Sequence, residues 1–158
     1  METKDARALR LIQALDLRPH PEGGFFRETY RCERALQDRS LCTAIYFLVT
    51  AHNPSRMHRV ASDEIWHFYC GDALEMLQLD ETSSRTLLVG PNVEAGERPQ
   101  ALVPAGVWQG VRVTPGGTFA LVGATVSPGF DFADFEMGER AALIAAHPEQ
   151  AALIEALT

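Results

Sequence analysis

A chain of 158 residues, 46% apolar and 22% charged, has the size of one domain and enough apolar material for a core, which excludes a disordered polymer. Its formal net charge of −7 excludes the clustered cationic surface that a nucleic-acid backbone demands. Arg27, Arg31, Arg34 and Arg39 are interleaved with Glu28, Glu33 and Asp38, the pattern of a solvated mixed-charge face. No apolar run approaches the ~20 residues of a membrane span, and the N-terminal stretch METKDARALRLIQALDL lacks the apolar segment of a signal peptide. Cys32, Cys42 and Cys70 have no zinc-ribbon spacing, so reduced thiols in a cytoplasmic protein are expected.

The first element reads as a helix, with Leu9, Ile12 and Leu15 on one face and Pro19 and Pro21 closing it. HPEGG, His20 to Gly24, has the composition of a turn, leading into an edge strand that would pair across a dimer. The period then changes to two. LCTAIYFLVT (41–50) and EIWHFY (64–69) are strand-like, and Gly71–Asp72 is a hairpin signal with ALEMLQL as the return strand. RTLLVG, ALVPAG, WQGVRV and TFALVGATV are further short strands. FDFADFE, Phe130 to Glu136, is expected to cap the strands with its phenylalanines. ERAALIAAHPEQAALIEAL has helical spacing interrupted at Pro148, giving two short terminal helices. One all-β domain over 1–158, closed or double-sheeted, with helices at its ends, is the expectation.

Alternation places Glu64, Trp66 and Phe68 on one face, and Ile65, His67 and Tyr69 on the other. Both faces carry large side chains, so a second layer or a second subunit must cover the outer one; a homodimer is the economical choice. Gln109 shares a face with Val107, Val111 and Val113, while Trp108 faces the opposite way, toward an interface. An inward amide and an inward carboxylate both need partners, since unpaired burial costs several kcal/mol.

These segments carry a resemblance to the cupins. Glu64 and Gly71 have the glutamate–glycine spacing of the first cupin motif, and His58 stands at its second histidine, with one extra residue before Glu64. Arg56 occupies the first histidine's place. In the second motif Pro104 and Gly106 are present, and Gln109 replaces the third histidine. HPEGGFFRETYR, SRMHRVASDEIWHFYCG, LVPAGVWQGVRV and SPGFDFADFE resemble the cupin-5 branch, a domain of unknown function. The resemblance implies a double-stranded β-helix, the jelly-roll barrel of bacterial sugar epimerases, usually dimeric.

Three functions are open at this point. A metal-independent epimerase or isomerase acting on a sugar-like or carbonyl compound would use His58 and Glu64 as acid–base groups, with Tyr30 or Tyr46 as an opposing acid. A metal-dependent cupin enzyme would hold a divalent ion on His58, Glu64 and Gln109, a poorer set than three histidines and a glutamate. A non-catalytic or sensory protein would bind a small molecule through Trp66, Phe68, Gln109, Arg27 and Tyr30. Arg27 and Arg31 are candidates for clamping an anionic ligand.

Overall fold

The structure, a computed structural model, describes residues 5–158, so the first four residues of the N-terminal stretch lie outside it. Helix α1 (Ala6–Ala14) is followed by β1 (Arg18–Pro19), β2 (Phe25–Arg31), β3 (Ala35–Leu36), β4 (Arg39–Ser40), β5 (Thr43–Thr50), β6 (Ser55–Arg59) and β7 (Asp63–Gly71). Then come β8 (Leu74–Leu79), β9 (Ser84–Val89), β10 (Gln100–Val103), β11 (Trp108–Val113), β12 (Phe119–Ser127) and β13 (Glu136–Met137). Helices α2 (Arg140–Ala146) and α3 (Ala151–Ala156) end the chain, separated by a short turn of helix at Pro148–Gln150.

Two antiparallel sheets face each other. The larger runs β1-β2-β5-β12-β7-β10 and the smaller β13-β6-β11-β8-β9, which is the expected jelly roll. Phe47, Trp66, Met76, Val111 and Val122 fill the space between them. Helix α1, capped by the Asp5 carboxylate, packs with Leu48, Phe119 and Leu121 on the outer side of the larger sheet. Helices α2 and α3 cover Met57, Leu77 and Leu79 on the smaller one. Burying a leucine-sized side chain contributes roughly 2 kcal/mol, so these helices close layers that would otherwise be wet.

Several expectations change. β7 and β8 do not form a hairpin: at Gly71–Asp72 the chain crosses from one sheet to the other, and the Asp72 carboxylate accepts the Thr118 N–H at 2.7 Å. β2 is an edge strand over most of its length: the two residues of β1 pair outside Phe25 and Phe26 only. Ser55–Arg59 is a further strand, in the smaller sheet, that the sequence reading does not include. Trp108 packs against the cluster under the C-terminal helices and carries the Arg59 guanidinium 4.5 Å above its ring, so the chain itself covers it. A bulge in β7 opposite Leu121/Val122 separates Cys70, which packs on the α1 side, from Phe68, which packs on the core between the sheets.

Candidate functional site

A cavity of about 320 Å³ opens between the sheets at one end of the barrel. His20, Glu22, His58, Glu64 and Arg31 line it together with Phe26, Phe47, Trp66, Phe130 and Phe132. Local backbone devices explain why these side chains meet.

The first device is a bulge in β6. Gln109 pairs with His58 and Val111 with Ser55, so one extra residue lies between them. Ser55 and His58, three apart, are thereby both buried on the inner side. The second is the HPEGG turn. Gly23 has φ +111° and a Cβ there would sit 2.0 Å from the Pro54 carbonyl oxygen; Gly24 has φ +66°, against the Phe47 ring. The turn thus lies flat on the chain before β6 and delivers Glu22 to the barrel interior. Arg56, at the position of the first motif histidine, pins it: its N–H and Nε donate to the Glu22 carbonyl at 2.8 and 3.1 Å, and Nη2 donates to the Pro21 carbonyl at 2.6 Å.

Glu22 is the centre of the cluster. Its Oε1 accepts the Ser55 hydroxyl at 2.9 Å, and its Oε2 lies 3.1 Å from His58 Nε2 and 3.4 Å from His20 Nδ1. His58 Nδ1 lies 2.7 Å from the Arg56 carbonyl oxygen, which can only accept, so Nδ1 carries a proton. His20 Nδ1 faces the Glu22 backbone N–H at 3.2 Å, so it accepts, and the neutral ring carries its proton on Nε2. Between His58 Nε2 and Glu22 Oε2 there is then room for one proton. Burial pushes the Glu22 carboxyl up to about 8 against the help of Ser55 and Arg56. Burial holds His58 below its ordinary value and, with the neighbouring His58, takes His20 down to about 4. Glu64 is raised to about 7, first by burial and then by Glu22. The dominant state at neutral pH is therefore a protonated Glu22 donating to a neutral His58.

Gln109 lies behind Glu64. The Trp66 indole N–H, which can only donate, takes the Gln109 Oε1 at 2.9 Å, and this turns the Gln109 amide nitrogen onto Glu64 Oε2. His58, Glu64 and Gln109 do not fit a metal as the second motif would supply it: the one amide oxygen is spent on an indole, and the sixth-strand imidazole faces a carboxyl. Among the described residues no group of three or more His, Cys, Asp or Glu side chains is disposed to hold a metal ion.

Other expected site residues fall elsewhere. Arg27 is exposed, with its guanidinium 3.3 Å from the Leu15 carbonyl. Tyr30 is 52% exposed on the outer face. A bulge between Glu28 and Tyr30 is the reason: before it Phe26 and Glu28 face the cavity, and after it Arg31 does, in place of Tyr30. Tyr46 lies on the outer face against Tyr69. Phe68 packs into the core rather than lining the cavity. Sequence reading missed His20 and Glu22, although a histidine and a glutamate flanking a proline before two glycines were in view.

The segment after β12 closes the mouth. Phe130, Phe132 and Phe135 stand 6.4, 6.0 and 5.8 Å from the His20 ring, and Phe26 meets its edge at 4.6 Å. The Phe130 N–H donates to Thr43 Oγ1 at 2.9 Å, Arg31 reaches the Phe130 carbonyl at 3.1 Å, and Arg39 is paired with Asp134. FDFADFE is thus the cap that its composition predicts.

Comparison with known proteins places this geometry. The solved structure of protein SO0799 from Shewanella oneidensis superposes with a TM-score of 0.89, at 39% identity over 100% of this chain and 98% of that one. A hypothetical protein from Leishmania major gives the same TM-score at 34% identity, covering 99% of both chains. The uncharacterised yeast protein YML079W of Saccharomyces cerevisiae is 29% identical over 164 residues, 90% of this chain and 82% of its own. Oxalate decarboxylase from Bacillus subtilis, at 15% identity and a TM-score of 0.57 over 89% of this chain and 36% of that one, shares the fold alone. Residues 9–138 match the family described as cupin superfamily (DUF985), and the chain, with its two-sheet barrel and its altered motif positions, belongs to that family.

Proposed function

We propose that this chain is a small-molecule-binding cupin that moves protons on a carbonyl or sugar-like compound without a resident metal, as an epimerase or isomerase does. The Glu22–His58 pair carries the proposal: a buried carboxyl and a buried imidazole share one proton 3.1 Å apart at the floor of a cavity sized for a small molecule.

The groups divide the work by environment. Glu64, raised to about 7, exists in both protonation states near neutral pH and lines the cavity; as carboxylate it takes the proton from the carbon beside a carbonyl. The electron pair of that C–H bond moves onto the carbonyl oxygen. His20, neutral with its proton on Nε2, is the donor that polarises this oxygen. Glu22 and His58 hold the proton that neutralises it, and reprotonation of carbon completes the exchange. Gln109 and Trp66 hold Glu64 in place from behind. The cap of Phe130 and Phe132 limits water in the cavity, which strengthens these interactions.

The test is exchange in deuterated water. Aldoses, ketoses and 2-oxo compounds are incubated with the protein, and loss of the α C–H signal is followed by NMR. Exchange that persists in a chelator and stops in His58→Ala and Glu64→Gln is expected. A compound that raises the melting temperature without exchanging would mean a binding protein. Exchange that a chelator abolishes and a divalent metal restores would overturn the metal-independent reading.

A further inference from the structure

We propose that the cavity selects a ligand bearing an ammonium or other organic cation, seated between Glu64 and the aromatic wall, and turns away phosphorylated and carboxylate compounds. This deepens the reading of the cavity as the substrate site and rests on it.

The charge on the cavity wall leans one way. Glu22, Glu28, Glu64 and Asp131 line it; Glu22 is protonated and Glu28 is balanced by Arg31, the single cationic side chain among the described lining residues, which leaves Glu64 and Asp131 as the acidic groups without a cationic partner on the wall. The Arg31 charge is already balanced: Nε and Nη2 fork onto the two Glu28 oxygens at 2.9 and 2.7 Å, and Nη2 also reaches the Phe130 carbonyl. An incoming phosphate or carboxylate would meet a guanidinium whose charge Glu28 already balances, with Asp131 and Glu64 beside it, and a buried anion without a net cationic partner is disfavoured. His20 and His58 add no charge to draw an anion in, since each is held neutral by its surroundings.

A cation meets the opposite situation. Glu64 is 8% exposed and lines the cavity; Gln109 donates to its Oε2, and the Trp66 indole N–H beside it also favours the carboxylate. A nearly buried carboxyl that faces the cavity, held by neutral donors and by no salt-bridge cation among the described residues, is a receptor for a charged donor that the ligand brings. Phe26, Phe47, Trp66 and Phe132 line the same space, and aromatic faces attract a desolvated ammonium through the ring quadrupole. Acidic and aromatic groups together favour an amine over its neutral analogue, and a neutral analogue over an anion.

A trio of similar probes tests this: benzylamine, benzyl alcohol and benzoate, titrated into the full-length protein. Probes of about eight or nine non-hydrogen atoms bind near the millimolar range, accessible to NMR. The two tryptophan indole N–H signals report location, Trp66 on the cavity wall and Trp108 beneath the C-terminal helices as control. Benzylamine should shift Trp66 saturably and leave Trp108 in place, with benzoate at least tenfold weaker. Glu64→Gln, which keeps the shape and an amide partner for Gln109, should remove the preference for the amine. Benzoate moving Trp66 as readily as benzylamine, or a preference unchanged in Glu64→Gln, would overturn the cation proposal and leave the cavity as a site. A Trp66 signal that no probe moves would overturn both.

Discussion

Glu22 carries a consequence for stability at the level of single residues. Its ordinary value is 4.5 and in the fold it rises to about 8; Glu64 goes from 4.5 to about 7. Between those values the folded chain holds protons that the unfolded chain releases, so both groups remove stability as pH rises. His20 works the other way, from 6.5 down to about 4, and His58 is lowered too, so the histidines return stability up to pH 6.5 and none above it. The two effects offset below pH 6.5, and from 6.5 to 8 only the carboxyls act. One retained proton is worth about 1.4 kcal/mol per pH unit, so urea denaturation should show stability falling by about 2 kcal/mol across that window. Glu22→Gln, which donates to His58 permanently and still accepts from Ser55, should flatten the slope; a wild-type profile that is flat or rising would contradict the assignment. How much of this was legible depended on where each residue lies. His58 and Glu64 stand at motif positions, and Gln109 was exposed by strand alternation as a polar residue on an apolar face. His20 and Glu22 sit in a stretch whose composition says only turn, and their placement depends on Arg56 and Ser55, more than thirty residues away.

The elements that matter most for the site are irregular ones. Three bulges, in β2, β6 and β7, set which residues face inward, and alternation read from sequence fails past each of them. Tyr30, expected at the site, is turned outward for that reason and Cys70 falls on the α1 side, whereas Glu64 and Trp66, ahead of the bulge in β7, face inward as alternation expects. Two-residue periodicity reports the pleat; it has no signature for one extra residue whose cause is a partner strand distant in sequence. The Gly23–Gly24 turn is the other irregular element, and its demand is steric. Gly23→Ala puts a methyl group 2.0 Å from the Pro54 carbonyl oxygen at a φ of +111°. Relief requires lifting the turn from β6, which withdraws Glu22 from His58. We expect a loss of about 2–4 kcal/mol in chemical denaturation, together with loss of benzylamine's shift of the Trp66 signal. An alanine variant as stable as wild type, with that shift intact, would show that the turn has slack the close contact denies.

In the molecule as a whole, one sheet face carries exposed apolar side chains that no layer of the described residues covers. Helix α1 covers one end of the outer face of the six-stranded sheet. Toward the other end, Tyr30, Ala44, Thr125, Ile65 and Leu102 are register partners in one row across β2, β5, β12, β7 and β10. Tyr30, Ile65 and Leu102 in this row are 52%, 38% and 48% exposed, and Tyr69 nearby is 51% exposed. Strands about 4.8 Å apart make the row roughly 20 Å wide, and it contains no charged side chain. We propose that a second copy of the chain covers it. A flat, uncharged sheet face is self-complementary under a two-fold axis, and pairing the same patch on both subunits needs no other partner. A stable interface requires about 800 Å² from each side, so the contact must extend from this row onto Tyr69 and the neighbouring His67 and Gln100. Light scattering at micromolar concentration should then give twice the chain mass. Ile65→Asp with Leu102→Asp, placing two carboxylates on adjacent strands of that face, should give a monomer with an unchanged circular dichroism spectrum and an intact cavity, since both residues point away from it. A wild-type monomer would leave the row exposed in solution and require another occupant, and a variant that stays dimeric would move the interface to a different face.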